Sequence, residues 1–223
     1  MGLRRKRRGP FPPQRPAKAE RMHISEGVLS GPVLAGGWAL AAGGVALGLR
    51  RLDYDRIMTV AILSAAFFVA SLVHVPIGPA SVHLILNGLL GVVLGTAAFP
   101  AICIALLLQA LLFQFGGLVV LGVNTVDMAL PAVLCFLVFG PLLRAGGKAR
   151  VVGAFCCGFF AVLGAGGLTA LALALSGEAF TATAKLLLTA HIPIMLIEGV
   201  LTAMVVGFLA KVRPEMLSPG LSG

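Results

Sequence analysis

Four histidines, His23, His74, His83 and His191, are the residues of this sequence best equipped to hold a metal ion. Taken singly, each imidazole is an amphipathic ring that tolerates a boundary between apolar and wet surroundings. Taken together, the four raise a metal-binding hypothesis. His23 sits in the stretch MHISEGVLSGP, residues 22–32. A terminal amine on Met22, the amide nitrogen of His23 and the His23 imidazole can close fused chelate rings on one ion. One in-plane position is then left for a second imidazole. A planar set of four nitrogens suits nickel(II), and less readily cobalt(II), better than zinc. The chelate fails if a peptide bond precedes Met22. The four cysteines, Cys103, Cys135, Cys156 and Cys157, lie inside apolar runs without CxxC spacing and read as packing thiols.

The elements that must position these histidines are membrane helices. Hydrophobic residues make up 59% of the 223 positions and charged residues 11%, and the mean hydropathy is +1.03, far from a soluble domain. No charge interrupts residues 57–126. Prolines, glycine pairs and charge clusters divide the apolar body into about seven helices, near 30–49, 57–75, 82–98, 100–116, 128–143, 151–175 and 187–210. The expected fold is all-α, a polytopic membrane bundle of about seven transmembrane helices. Loops on one side carry Arg50, Arg51, Arg56, Arg144, Lys148, Arg150, Lys211 and Arg213, against Lys185 alone on the other. The positive-inside rule then puts the N-terminus outside and the C-terminus in the cytoplasm. On that topology all four histidines lie near the outer ends of spans.

The formal charge of +9 does not signal nucleic acid, because eight of the 17 basic residues precede Met22 and the body is nearly neutral. The first 21 residues, MGLRRKRRGPFPPQRPAKAER, contradict the charge rule by loading the outer side. They are not a secretory signal, since no apolar core follows the basic stretch. Two readings stand: a disordered basic arm, or a start placed too far upstream, with the charge count favouring the second. The expected organisation is residues 1–21 as this extension, 22–214 as the membrane domain and 215–223 as a short tail.

Four stretches resemble the CbiM/NikM family, the substrate-specific components of energy-coupling-factor transporters for cobalt and nickel. They are MHISEG at 22–27, SVHLILNGLLGVVLG at 81–95, FGGLVVLGVNTVDMALP at 115–131 and HIPIMLIEGVLTAMV at 191–205. The resemblance runs in order over nearly the whole body. It implies a bundle of six helices with one extra N-terminal helix. It also implies a ligand set of the Met22 amine, the His23 amide and imidazole and the His83 imidazole, with His74 outside the motif. The basic extension departs from the family and removes the amine unless Met22 becomes the first residue. Asn87 and Asn124 match polar positions of the family, where a buried amide orients an imidazole, caps a broken helix or simply holds structure. Glu26 balances metal charge or caps the first span. His191 is a supporting or fallback imidazole. Glu198, the lone charge of the last span, pairs with a buried polar group or meets the coupling subunit. Ala61 and Ala65 offer a small-residue docking face.

These features point to an inner-membrane subunit, bacterial or archaeal, that captures nickel(II) or cobalt(II) as transported substrate. No GxxxxGK[ST] motif is present, so the energy must come from another chain. The family implies a transmembrane coupling subunit, a pair of ABC ATPase subunits and a small accessory membrane subunit, with lipid as solvent and no nucleic acid. An enzyme would want an HExxH pair or an open metal position beside a carboxylate, and neither is found. The alternative is an autonomous cation channel or ion-coupled transporter, for which Glu198 is the lone intramembrane charge in this reading. Cobalt and nickel share the motif.

Overall fold

The computed structural model describes residues 24, 26–77, 80–177 and 181–217. In chain order it comprises α1 (Gly31–Arg50), α2 (Ile57–Leu72), β1 (His74–Ile77), β2 (Ala80–His83), α3 (Asn87–Leu94), α4 (Ala98–Phe113), α5 (Leu121–Ala145), α6 (Gly147–Ala174) and α7 (Thr181–Val212). The apolar runs become helices because lipid offers no partner for the backbone, so each segment must bond to itself. Among the described residues, six continuous helical segments are long and apolar enough to cross a bilayer. Leu40, Ile62, Leu137, Val138, Met204 and Phe208 face outward. A surface of large apolar side chains over a buried core with polar pins is that of a multi-pass membrane protein.

The all-α bundle is as expected, with one short hairpin added, in which β1 and β2 pair antiparallel, His74 opposite His83 and Ile77 opposite Ala80. The expected third helix, 82–98, begins instead at Asn87, and its core is the eight-residue α3. At 1.5 Å per residue α3 is about 12 Å long, too short for a hydrocarbon layer of about 30 Å.

The run Asn87–Phe113, one of the six continuous segments, folds back on itself. β2 ends beside the C-terminus of α2, whereas Val93 O receives the Arg56 guanidinium at the α2 N-terminus, at 2.8 Å. So α3 runs antiparallel to α2. In contrast α4 runs parallel to α2, since Ser64 Oγ donates to Ala101 O at 2.8 Å and Gln109 donates to Ser71 near the far end. The reversal falls at Gly95, at φ 55°, ψ −126°, a region that side chains essentially forbid.

All eight residues of α3 are buried. It lies in the middle of the bundle against α5, α6 and α7. Close approach is possible because Gly88 has no side chain: a Cβ there would sit 2.6 Å from Cys157 O and Gly158 Cα. The fifth helix starts at Leu121, seven residues before the expected 128. Asn124, Thr125 and Asp127, read from sequence as loop residues, are therefore buried inside a helix. Their polarity is met by tertiary contacts, which a local reading cannot see.

Candidate metal centre

His83 closes β2 and is buried. Its ring Nδ1 lies 3.0 Å from Leu84 O. A carbonyl only accepts, so in this contact Nδ1 carries the hydrogen. Residues 84–86 connect His83 to α3 and are held from α7. One oxygen of Glu198, Oε1, accepts from Ile85 N–H and from Leu86 N–H, the latter at 2.8 Å. Glu198 is 0% exposed, so these bonds form without competing water. Leu86 adopts the left-handed conformation, φ 55°, ψ 12°, which costs a non-glycine residue energy and persists only where neighbours over-determine it. At the next position Asn87 Nδ2 donates to Met128 O at 3.1 Å and Ala161 O at 3.2 Å. Its Oδ1 accepts from Gly88 N–H at 2.9 Å. The connector is thus tied to α5, α6 and α7 at once.

The second arm is the segment entering α1. Ile24 is buried with Leu29 against Val120, Val123, Ala172 and Leu173. Asn124 Nδ2 donates to Ile24 O at 3.3 Å. Glu26 does not cap α1, whose N-cap is Ser30. Its Oε1 accepts from Val119 N–H at 3.0 Å instead. Ser30 N–H donates to Ser176 Oγ at 3.1 Å, and Trp38 Nε1–H to Val119 O at 3.0 Å. Met22 and His23, the expected chelate, lie outside the described residues.

Both arms converge on one face of α5. Asn124, which holds Ile24, and Met128, which holds Asn87, are four residues apart and so one turn apart on the same face. Ile24 is the neighbour of His23, and Asn87 lies four residues after His83. The structure thereby brings together the surroundings of two expected ligands from opposite parts of the chain. His74 is set apart from the motif in sequence, yet its backbone is the cross-strand partner of His83. His191 is half-buried on α7, about 10 Å along the axis from Glu198. Among the described residues, no three His, Cys, Asp or Glu side chains cluster to form a metal site by themselves. Ala61 and Ala65 are exposed on α2, away from this centre.

Sequence reasoning passed over Asp127. It is 4% exposed and accepts from Thr169 Oγ1 at 3.0 Å, joining α5 to α6. Glu198 is therefore not the lone intramembrane carboxylate. The signal was present: Asp127 is the sole formal charge between Arg56 and Arg144.

Residues 23–216 match the family described as "Cobalt uptake substrate-specific transmembrane region". A Haemophilus influenzae protein named for metal transport is 45% identical over 200 residues, spanning 88% of this chain and 97% of its own. The cobalt transport protein CbiM of Kyrpidia tusciae is 33% identical over 228 residues, spanning 93% of this chain and 90% of its own. The crystal structure of a transition metal transporter superposes with a TM-score of 0.75 at 27% identity, covering 90% of this chain and 100% of that one.

Proposed function

The chain belongs to the CbiM/NikM family of cobalt and nickel transport proteins of the plasma membrane, and from that premise we propose that it is the substrate-binding membrane component of an energy-coupling-factor importer. The observation that carries the reading is the convergence on α5. Asn124 grips the residue after His23, and Asn87 and Glu198 fix the connector after His83. The ion is the substrate, nickel(II) or cobalt(II). Its donors are the Met22 amine, the His23 amide and imidazole and the His83 imidazole, provided Met22 carries a free amine. Four nitrogens fill the plane of the site and leave little room to activate water, which favours capture and transfer over catalysis.

In this reading the β-hairpin and the Ile24 arm face outward, and the C-terminus of α7 faces the cytoplasm. α3 makes a short buried descent and α4 the return, giving seven helices, of which α3 is too short to span lipid by itself. Support comes from the basic residues: Arg50, Arg51, Arg56, Arg144, Lys148, Arg150, Lys211 and Arg213 flank helix ends on one side of the bundle. The exposed Ala61/Ala65 face of α2 is a docking surface for the transmembrane coupling subunit. ABC ATPase subunits supply the energy, with a small accessory membrane subunit completing the assembly. The competing reading, an autonomous channel or ion-coupled transporter, takes its support from Asp127 and Glu198, but both are engaged by neighbouring groups.

Nickel titration of His83→Ala and His74→Ala tests the assignment. His83→Ala loses high-affinity binding while inserting normally, and His74→Ala loses far less. Equal losses mean that the second imidazole is misassigned. ATP-dependent uptake in vesicles holding the partner subunits, and none without ATP, separates the importer from the channel.

A further inference from the structure

One peptide group in the connector stands between two side chains. Its carbonyl, on Leu84, accepts the His83 Nδ1 hydrogen at 3.0 Å. Its N–H, on Ile85, donates to Glu198 Oε1. We propose that Glu198 is a positioning residue of the metal site, acting on His83 through the Leu84–Ile85 peptide. The inference rests on His83 being a ligand.

Glu198 has two effects on the imidazole. The first is geometric. With Ile85 and Leu86 N–H both fixed on one carboxylate oxygen, the peptide plane cannot rotate, and the Leu84 carbonyl holds the ring in one orientation. The left-handed Leu86 shows that the connector is held away from the conformation a leucine prefers. The second is electronic. An acceptor oxygen on the N–H side of a peptide pushes charge onto its carbonyl oxygen, and hydrogen bonds in such a chain strengthen one another. A stronger bond to Nδ1–H makes Nε2 the better donor to a metal, as carboxylates do when they bond directly to ligand histidines. Here the carboxylate works one peptide removed.

The surroundings favour this role over simple packing. Glu198 is 0% exposed, and Oε2 has no hydrogen-bond partner among the described residues. An apolar side chain would fill the same space without that desolvation cost. What a leucine cannot do is accept the two amide hydrogens. Thr202, four residues on, is likewise buried with an unbonded hydroxyl, so neighbouring side chains do not account for the carboxylate.

The test is titration of nickel(II) chloride alone into the purified membrane chain beginning at Met22, reading affinity and the visible d–d absorption band. Glu198→Leu should insert and bind nickel about 10- to 100-fold more weakly, its band displaced toward that of His83→Ala. Glu198→Gln keeps an oxygen acceptor and should stay within about threefold of the parent. The double variant His83→Ala/Glu198→Leu should bind no more weakly than His83→Ala, since both changes remove one ligand's contribution. Should Glu198→Leu fail to insert, Glu198→Asp provides the readout: it keeps the carboxyl group but withdraws the acceptor by one methylene, and weaker binding with the same band displacement supports the relay. Parent-like binding by the tested variant, additive losses in the double variant, or a Gln variant as weak as Leu overturns the inference. Unaltered nickel binding by His83→Ala overturns instead the assignment on which it rests.

Discussion

The His83 connector and the Ile24 arm reach the same face of α5, but the first is tied inside the bundle and the second at its rim. The connector's anchors are Glu198 and Asn87, both 0% exposed, which bond to backbone on five partners. The arm's anchors are the longer Asn124–Ile24 bond of 3.3 Å and the exposed Glu26–Val119 bond of 3.0 Å. Buried bonds to charged groups are worth more than exposed ones, which trade against water. The difference teaches that the two halves of the centre are built unequally. In the proposed centre one imidazole sits on a firmly held connector, and the expected chelating residues would follow from an arm held more lightly at Ile24.

Breaking the stronger half should have the largest effect on the fold. Asn87→Leu removes both amide hydrogens from Met128 O and Ala161 O and the acceptor from Gly88 N–H, at about 1 kcal/mol per lost hydrogen bond. Thermal unfolding in detergent should show a clear fall in midpoint, with nickel affinity falling too. An unchanged midpoint would mean that these carbonyls find other partners. Breaking the lighter half should separate binding from stability. Asn124→Ala should lower nickel affinity about tenfold and stability by only about 1 kcal/mol. A larger stability loss than that of Asn87→Leu would reverse the comparison. Glu26→Gln should change either quantity by less than about 0.5 kcal/mol, as surface substitutions usually do. A calorimetric titration showing a tenfold loss would make Glu26 part of the site.

Much of this was legible in the sequence because lipid imposes a simple code. Long uncharged runs must be helices, and α1, α2, α6 and α7 fall close to where hydropathy puts them. The resemblance of MHISEG and SVHLILNG to the family's motifs carried the ligand expectation. What was hidden depended on partners far away in the chain. VPIGPASV, with two prolines and a glycine, reads as a turn, yet its flanks pair as strands from His74 to His83. Asn124 and Asp127 read as loop residues because nothing local shows that Ile24 and Thr169 satisfy them. Glu198 stood out as a lone charge, but its target, the backbone after His83, is more than a hundred residues away. Gly95 gave no warning that the apolar run through it doubles back.

The central claim is that the N-terminal arm supplies a free amine to an ion that His83 also holds. It is tested most directly by calorimetric nickel titration of two chains that both begin at Met22, one of them with a single glycine added in front. A peptide nitrogen has its lone pair delocalised into the carbonyl, so the added residue replaces a good donor with a poor one while altering no side chain of the bundle. A severe loss of affinity, with the melting temperature of the metal-free protein unchanged, is the predicted result. Identical affinities would contradict the account and leave a site of histidines alone, His23, His83 and His191.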